Sequence, residues 1–306
     1  MRNILAATVA GLLAFVANAA AQQLQPLAPA PDFDKVEFKT TDLGHRIYLL
    51  QGAGGDITLA LADDGAFVID DDFTLLYGKL KAAVRAVTNL PVRYVVNTHF
   101  HRDHTGGNEG FGKDGATIVA HENVKAVLAK GSRNGLTGGT VPPYPEIALP
   151  KQTYNDKLTL RLAGRTAELT HPANVHTDGD TYIIFPDANL LVAGDVLFFG
   201  RYPNIDFAYG GSIDGMIRGT DELLQLVKDD TTVVPGHGPV GNKAMMRDYR
   251  QMLVTARDRI AKLKAAGKTE DEIVAARPNA DYDAKFNLDD RSIGNFIRVI
   301  YRSLKS

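Results

Sequence analysis

Apolar residues recur in short runs along the first half of the chain, and turn-forming residues separate the runs. The runs have the length and composition typical of β-strands, and they lie at 45–51, 56–63, 66–70 and 92–97. A tight glycine-rich turn, Gly52–Gly55, joins the first two runs. Between the last two runs, residues 75–87 carry apolar side chains at helical spacing and predict an α-helix.

The second half of the chain repeats this alternation of strands and helices. Its predicted strands lie at 116–120, 157–163, 167–171, 181–186, 190–194 and 231–235, and its predicted helices lie at 122–130 and 216–227. Two strand-rich halves with interleaved helices indicate two sheets packed face to face with helices outside. We therefore predict an α/β fold in four layers, in the order helix, sheet, sheet, helix.

The C-terminal part of the chain is helical and carries no chemical motif. An amphipathic pattern predicts a helix at 245–267, and Thr269 with Glu272 forms the capping-box pattern of a further helix that ends at Pro278. We expect residues 243–306 to form a helical extension packed on the same domain as residues 36–242.

The first residues have the composition of a secretory leader. Arg2 precedes an apolar run from Ile4 to Val16, and alanines at 17, 19 and 21 match the small-residue pattern of a cleavage site. An N-terminal membrane anchor is the alternative, but this run is shorter than the ~20 residues that a spanning helix needs. We predict a signal peptide at 1–21, a proline-containing linker at 22–35, and a periplasmic or secreted protein with no membrane contact after cleavage.

Composition narrows the possible chemistry. The chain has 306 residues, 44% hydrophobic content and a formal net charge of −2, which describes a globular protein without the broad cationic surface that nucleic acid attracts. It has no cysteine, so nitrogen and oxygen must hold any bound metal. We expect a small-molecule substrate, and the sequence leaves the oligomeric state open.

Three of the eight histidines lie in the segment NTHFHRDHTGGN, directly after the predicted strand at 92–97. Because alternate residues of a strand face the same side, His99 and His101 can point to one metal ion. Asp103 and His104 follow where the chain has turned, so they face another direction. The segment therefore indicates two metal positions, and each needs further ligands from elsewhere in the chain.

The missing ligands are predicted at the ends of other strands. His176, Asp195 and His237 each follow a predicted strand of the second half. Because strand ends converge on one rim of a sheet, these side chains can meet the histidine-rich segment there.

This ordered set of residues resembles the ligand set of the metallo-β-lactamase superfamily. The resemblance implies an αββα sandwich with a dinuclear metal centre along one edge of the sheets. It assigns His99, His101 and His176 to one metal, Asp103, His104 and His237 to the other, and Asp195 to the second metal or to a bridge. It also implies that Asp70 accepts a hydrogen bond from a ligating imidazole and so supports the site.

Two zinc ions would supply the chemistry of hydrolysis, and iron or manganese would suit the same ligands. Two ions ~3.5–4 Å apart hold a bridging hydroxide and polarise a carbonyl, while Asp103 orients that nucleophile and carries a proton to the leaving atom. We predict β-lactam hydrolysis as the leading activity. Thioester or lactone hydrolysis is the alternative within the superfamily, and a non-catalytic periplasmic metal or redox accessory protein is the alternative outside the enzymes.

The chain departs from broad-spectrum single-domain β-lactamases near the site. Asp195 stands where those proteins usually carry a cysteine, and Phe198 stands where they carry a lysine that binds the substrate carboxylate. The tight Gly52–Gly55 turn replaces a longer apolar flap, so we expect an open groove.

Two segments are candidates for substrate contact. The segment after Asp195 presents Arg201, Tyr202 and Tyr209, and Arg201 would bind a substrate carboxylate in place of the lysine, unless this segment is a packed scaffold loop. Residues 132–150 are rich in glycine and proline and long enough to form a lid, with Tyr144 as its contact residue.

Overall fold

The computed structural model describes residues 31–304. The predicted signal peptide at 1–21 and the first part of the predicted linker, residues 22–30, lie outside this range, so both stay predictions. Among residues 31–304, no helix combines the length and the apolar character that crossing a membrane requires.

The described residues form fourteen strands. In chain order these are β1 Lys39–Asp42, β2 Ile47–Gln51, β3 Ile57–Leu61, β4 Ala66–Ile69, β5 Val92–Val96, β6 Thr117–His121, β7 Ser132–Arg133, β8 Thr140–Val141, β9 Gln152–Tyr154, β10 Lys157–Leu162, β11 Arg165–Thr170, β12 Tyr182–Phe185, β13 Leu190–Val192 and β14 Thr232–Val234. The first sheet has the order β1-β2-β3-β4-β5-β6-β9, and the second has the order β10-β11-β12-β13-β14. Strands β7 and β8 pair only with each other and form a short ribbon.

The helices connect and cover these sheets. They are α1 Tyr77–Val87, α2 Arg102–Thr105, α3 Asn108–Lys113, α4 Glu122–Lys130, α5 Ile213–Leu226, α6 Lys243–Ala265, α7 Glu270–Ala276, α8 Ala280–Lys285 and α9 Asp290–Ser303.

Three apolar clusters show how the layers stack. Leu80 of α1 packs with Leu59 of β3 on the outer face of the first sheet. The inner faces of the two sheets meet in a second cluster, where the rings of Phe67 and Phe185 lie 6.2 Å apart. The third cluster packs α5, α6 and α9 against the outer face of the second sheet, including Leu191. The predicted four-layer α/β sandwich is therefore confirmed.

Parallel strand pairing brings the candidate ligands to one edge of the sandwich. Strands β4, β5 and β6 run parallel in the first sheet, and β13 and β14 run parallel in the second. Asp70 and His99 follow β4 and β5, while Asp195 and His237 follow β13 and β14. His176 follows β11, which runs in the same direction as β13 because each is antiparallel to β12.

The C-terminal helices pack on the outer face of the second sheet. Thr269 and Glu272 form the predicted capping box at the start of α7, and that helix ends at Ala276 before Arg277 adopts a left-handed conformation with φ of 46°. Phe296 and Ile297 of α9 are buried in the same cluster as α5 and α6. This extension lies behind the second sheet and leaves the ligand edge uncovered.

Candidate metal centre

The loop after β5 delivers four candidate ligands in two directions. The backbone of His101 is extended, with φ of −65° and ψ of 149°, and the one-turn helix α2 then carries Asp103 and His104. Gly106 follows where the chain passes close to its neighbour, since a Cβ there would lie 2.3 Å from the backbone nitrogen of Thr74. The abrupt change from extended chain to helix separates the two pairs of ligands.

The first group of ligand atoms surrounds one position. His99 Nε2 and His176 Nε2 each lie 3.0 Å from His101 Nδ1. Asp195 Oδ2 lies 3.4 Å from His176 Nε2 and 3.7 Å from His99 Nε2. His99 and His176 are fully buried, whereas the side chain of His101 keeps 19% of its exposure.

The second group lies beside the first and is more open. His104 Nε2 lies 3.3 Å from His237 Nε2 and 3.6 Å from Asp103 Oδ2. Asp103 Oδ2 and His237 Nε2 lie 3.4 Å apart. Asp195 Oδ1 lies 3.3 Å from His104 Nε2 and 3.5 Å from His237 Nε2. The side chains of Asp103 and His237 are 26% and 15% exposed.

Asp195 joins the two groups, because one of its oxygens faces each group. Its Oδ1 atom is buried and has no hydrogen-bond partner within the described residues, an arrangement that costs free energy unless a cation compensates it. The ligand atoms of a tetrahedral site with bonds of 2.0–2.1 Å are about 3.3 Å apart, close to the spacing in both groups. The residues therefore fit one ion in each group, and the distances favour a bridging position for Asp195.

Most of the ligating imidazoles are held by a second contact. His101 Nε2 lies 2.9 Å from Asp206 Oδ2, and His176 Nδ1 lies 2.8 Å from the backbone oxygen of Asn204. Such contacts fix the tautomer and the orientation of a ligating ring. Neither partner is predictable from the sequence, because a loop carboxylate and a backbone carbonyl leave no motif.

Asp70 is the corresponding partner of the second group. Its Oδ2 atom lies 2.8 Å from His104 Nδ1, and its two oxygens also accept hydrogen bonds from Thr98 N and Thr98 Oγ1 at 2.7 and 2.8 Å. The backbone of Asp70 has a φ of 63°, a conformation that residues other than glycine rarely adopt. The strained backbone directs this buried carboxylate at the ligand, which is the contact that the resemblance implied.

The loop around His176 is shaped by its own hydrogen bonds. Asp180 Oδ2 accepts from the backbone nitrogens of His176 and Thr177 at 2.6 and 2.9 Å, and Oδ1 accepts from Thr177 Oγ1 at 2.6 Å. This contact set holds the turn that presents His176 to the first group.

The pKa values of two imidazoles in the first group suit metal binding, whereas for the third, His101, burial lowers the pKa but Asp206 raises it overall. Burial lowers the pKa of His99 well below its usual value, and the imidazoles of His104 and His101 lower it further. Burial also lowers the pKa of His176 to about 4. Both rings are therefore neutral at pH 7, the state in which an imidazole nitrogen can bind a metal.

The second group instead attracts positive charge. Burial alone would lower the pKa of His104, but the carboxylates of Asp195 and Asp70 raise it well above its usual value. Burial would raise the pKa of Asp195, whereas the facing imidazoles of His104 and His237 lower it. A metal cation at this position would compensate the negative charge of the same two carboxylates, as a protonated His104 does.

The Gly52–Gly55 turn packs directly behind the second group. The backbone nitrogen of Gly55 donates to the backbone oxygen of Asp103 at 3.1 Å, and Ala53 N donates to Asp72 Oδ2 at 3.2 Å. A Cβ on Gly55 would lie 2.2 Å from His104 Cε1. The turn that the sequence analysis interpreted as a shortened flap thus also supports the ligands Asp103 and His104.

A groove of about 480 Å³ opens beside both groups. His101 and Asp103 line it from the metal side, and Phe73 and Phe100 give it an apolar part. The ribbon of β7 and β8 forms another wall, so the predicted lid segment 132–150 reaches the groove through this ribbon.

The structure corrects the predictions for Arg201 and Tyr202. Tyr202 is buried, its ring stacks on Phe296 with centroids 4.0 Å apart, and its hydroxyl donates to Asp283 Oδ1 at 2.6 Å. Arg201 lines a separate cavity of about 220 Å³ beside α9. The start of the segment after Asp195 therefore faces the C-terminal helices, whereas Asn204 and Asp206 further along it line the groove.

Tyr144 and Tyr209 pack in the same apolar cluster as Phe100, which lines the groove, and their predicted substrate contacts stay predictions. The ring of Tyr209 packs on Phe100 at 4.7 Å, and its hydroxyl accepts from Arg133 N at 3.0 Å. The hydroxyl of Tyr144 lies 3.0 Å from Thr105 Oγ1. Tyr209 thus contacts two residues of the groove lining, Phe100 and Arg133, and Tyr144 contacts Thr105.

Comparison with known proteins agrees with this geometry. A family model described as the metallo-beta-lactamase superfamily matches residues 50–237, a range that includes all seven candidate ligands. A solved metallo-beta-lactamase from Pontibacter korlensis has 19% sequence identity and a TM-score of 0.58, with 71% of this chain and 99% of that chain covered. This likeness concerns the fold.

Two curated proteins are similar in sequence. The 2,4-dinitroanisole O-demethylase subunit alpha of Nocardioides sp. (strain JS1661) is 30% identical over 186 residues, which cover 59% of this chain and 52% of that protein. The probable metallo-hydrolase YqgX of Bacillus subtilis (strain 168) is 28% identical over 197 residues, which cover 61% of this chain and 90% of that protein. The chain therefore spans about half the length of the first relative and most of the second.

Proposed function

The chain belongs to the metallo-beta-lactamase superfamily, and from this premise and the site geometry we propose that it is a metal-dependent hydrolase. The observation that carries the proposal is the position of Asp195 between two complete ligand groups, with one carboxylate oxygen directed at each. Ions held by these two groups would supply a nucleophile at neutral pH and would polarise the carbonyl that is attacked.

We propose one ion per group, with zinc as the leading metal. His99, His101 and His176 would hold the first ion, Asp103, His104 and His237 would hold the second, and Asp195 would contact both. Mixed imidazole and carboxylate ligands suit zinc and also suit iron or manganese.

Asp103 is the residue that we place in the chemical step. Its side chain is partly exposed, lines the groove and still lies within 3.6 Å of His104 and His237. A carboxylate in this position orients the attacking oxygen and carries its proton to the leaving atom. His101 also lines the groove, but Asp206 holds its second nitrogen, so its contribution is to ligand geometry.

For the substrate, we propose a β-lactam-like cyclic amide first and an ester, thioester or lactone second. The open groove beside Asp103 and its apolar part at Phe73 and Phe100 support a small acyl substrate with an apolar body. We also propose that the protein acts outside the cytoplasm, because residues 1–21 have the pattern of a secretory leader. A non-catalytic accessory role is disfavoured by the completeness of both ligand groups.

The test begins with the full chain purified without metal and reloaded with zinc, iron or manganese. Bound metal is counted by mass spectrometry, and hydrolysis of a chromogenic cephalosporin, a thioester and a lactone is followed for each loaded form. We include 2,4-dinitroanisole because a relative is named for its demethylation. We expect two ions per chain and turnover that a chelator removes and metal restores. A loaded protein that turns over none of these compounds would contradict the proposed function.

A further inference from the structure

We propose that Arg102 and Arg133 select substrates that carry an anionic group, a carboxylate above all, at a distance from the bond that is cut. The two guanidinium groups line the same groove as the candidate metal ligands. The inference rests on the proposed hydrolase function, since it names the substrate class of that groove.

Arg102 lies between the candidate ligands His101 and Asp103, at the first position of α2. Its side chain is exposed to the groove. Its guanidinium forms no hydrogen bond or ion pair with any residue of 31–304. The position next to the ligands is fixed by the backbone, while the charge stays available to a bound molecule.

Arg133 lies on another wall of the groove, in the ribbon strand β7. Its backbone nitrogen donates to the hydroxyl of Tyr209, and β7 pairs with β8, so its point of attachment is held from two sides. Within the described part of the chain, its guanidinium also has no hydrogen-bond or ion-pair partner.

The acidic side chains of the groove do not neutralise these arginines. Asp206 is engaged by His101 Nε2 at 2.9 Å, and Asp103 faces His104 and His237 at 3.6 and 3.4 Å. Both carboxylates therefore turn toward the imidazole cluster, and the two unpaired charges of the groove wall are positive. A guanidinium binds a carboxylate through two parallel hydrogen bonds, which makes it selective for this anion.

The remaining lining fits a substrate with separate polar and apolar parts. Phe73, Phe100 and Val141 line the same groove and provide apolar surface there. A substrate with its acyl group at Asp103 and its carboxylate at Arg102 or Arg133 would use all three kinds of surface. This places the anion-binding role, which the sequence analysis assigned to Arg201, on two other residues.

The test compares substrates that differ in one charge. A p-nitrophenyl ester with a terminal free carboxylate is paired with its methyl-ester form, and a chromogenic cephalosporin is paired with the ester of its carboxylate. The selectivity is the kcat/KM of the anionic member divided by that of the neutral member. In the metal-loaded protein we expect Arg102→Gln and Arg133→Gln each to lower this ratio by about tenfold, through KM.

Matched variants and salt sharpen the result. Arg161→Gln removes an exposed arginine of β10, outside the groove, and should leave the ratio unchanged. Added salt should lower the wild-type ratio because it screens exposed charges. Metal content is measured for Arg102→Gln, since its neighbours are candidate ligands.

The outcomes separate this inference from the proposed function. If the wild type hydrolyses the neutral substrates and neither arginine variant changes the ratio, the inference fails and the hydrolase proposal stands. A loss of selectivity in Arg201→Gln alone would also overturn it, because the anion would then bind at the other cavity. If the loaded wild type hydrolyses no member of either pair, the proposed function fails and this inference fails with it.

Discussion

The two ligand groups differ in how firmly the protein holds them. In the first group, His99 and His176 are fully buried, and Asp206 and the backbone of Asn204 fix the outer nitrogens of His101 and His176. In the second group, only His104 is equally buried and anchored, while Asp103 and His237 keep part of their exposure at the edge of the cluster.

This difference indicates a division of labour within one centre. The first group has one partly exposed member, His101, and the second has two, Asp103 and His237. Ligands that are preorganised and shielded from water bind an ion tightly, whereas a group with more exposed members exchanges its ion and its water more readily. The second group also contributes Asp103, which lines the groove. We therefore expect the first position to act mainly as an anchor and the second to be the position at which the reaction is controlled.

The largest effect should come from Asp103→Asn. The amide can still approach an ion but cannot accept or deliver a proton, so we expect kcat to fall by roughly 10²–10⁴-fold, the usual contribution of general acid–base catalysis. The first ion should remain bound, as measured by metal content. Asp229→Asn, an exposed surface substitution, is the control that should leave kcat unchanged. Wild-type kcat in Asp103→Asn would remove this carboxylate from the mechanism.

A smaller effect is expected when one outer partner is removed from each group. Asp206→Asn should weaken metal binding at the first position by about 10–100-fold, because His101 loses the carboxylate that orients it. Asp70→Asn should weaken the second position through His104. Stepwise titration against a chromophoric chelator measures both affinities. Equal loss at both positions in Asp206→Asn would break the distinction between the two groups.

The smallest effect concerns the turn behind the second group. Gly55→Ala places a Cβ 2.2 Å from the ring of His104, and overpacking of this kind destabilises by about 1–3 kcal/mol. Gly78→Ala in α1 is the matched control, because its Cβ meets nothing within 4 Å, and alanine favours a helix by up to ~1 kcal/mol. Thermal unfolding of the two variants should shift in opposite directions. If the Gly55→Ala protein is as stable as the wild type, the turn shifts to accommodate the Cβ and the prediction is wrong.

Much of the fold and the set of candidate ligands could be predicted from sequence, because both follow from local patterns. Strand periodicity and helix spacing identified the layers, and the candidate ligands stand directly after predicted strands, where parallel pairing gathers them at one edge. Their distances in the structure are compatible with the two predicted positions. Their roles as ligands stay a prediction until a metal is measured.

The errors have a physical cause in long-range packing. Tyr202 was placed at the groove because it follows Asp195, yet its hydroxyl partner is Asp283 in α8, which no local pattern connects to it. Conversely, Arg133 lines the groove from β7, which pairs with β8 across a loop. A side chain that is part apolar and part polar suits either a core or a surface, and distant contacts decide which.

The position of Asp195 has a consequence for folding. The candidate ligands from His99 to His104 follow a strand of the first sheet, while His176, Asp195 and His237 follow strands of the second. Ions held by both sets would act as reversible cross-links between the two halves of the sandwich. Their binding free energy would then contribute to the free energy of unfolding. The concentration of free metal would thus determine the stability of the packing between the two sheets as well as the rate of turnover.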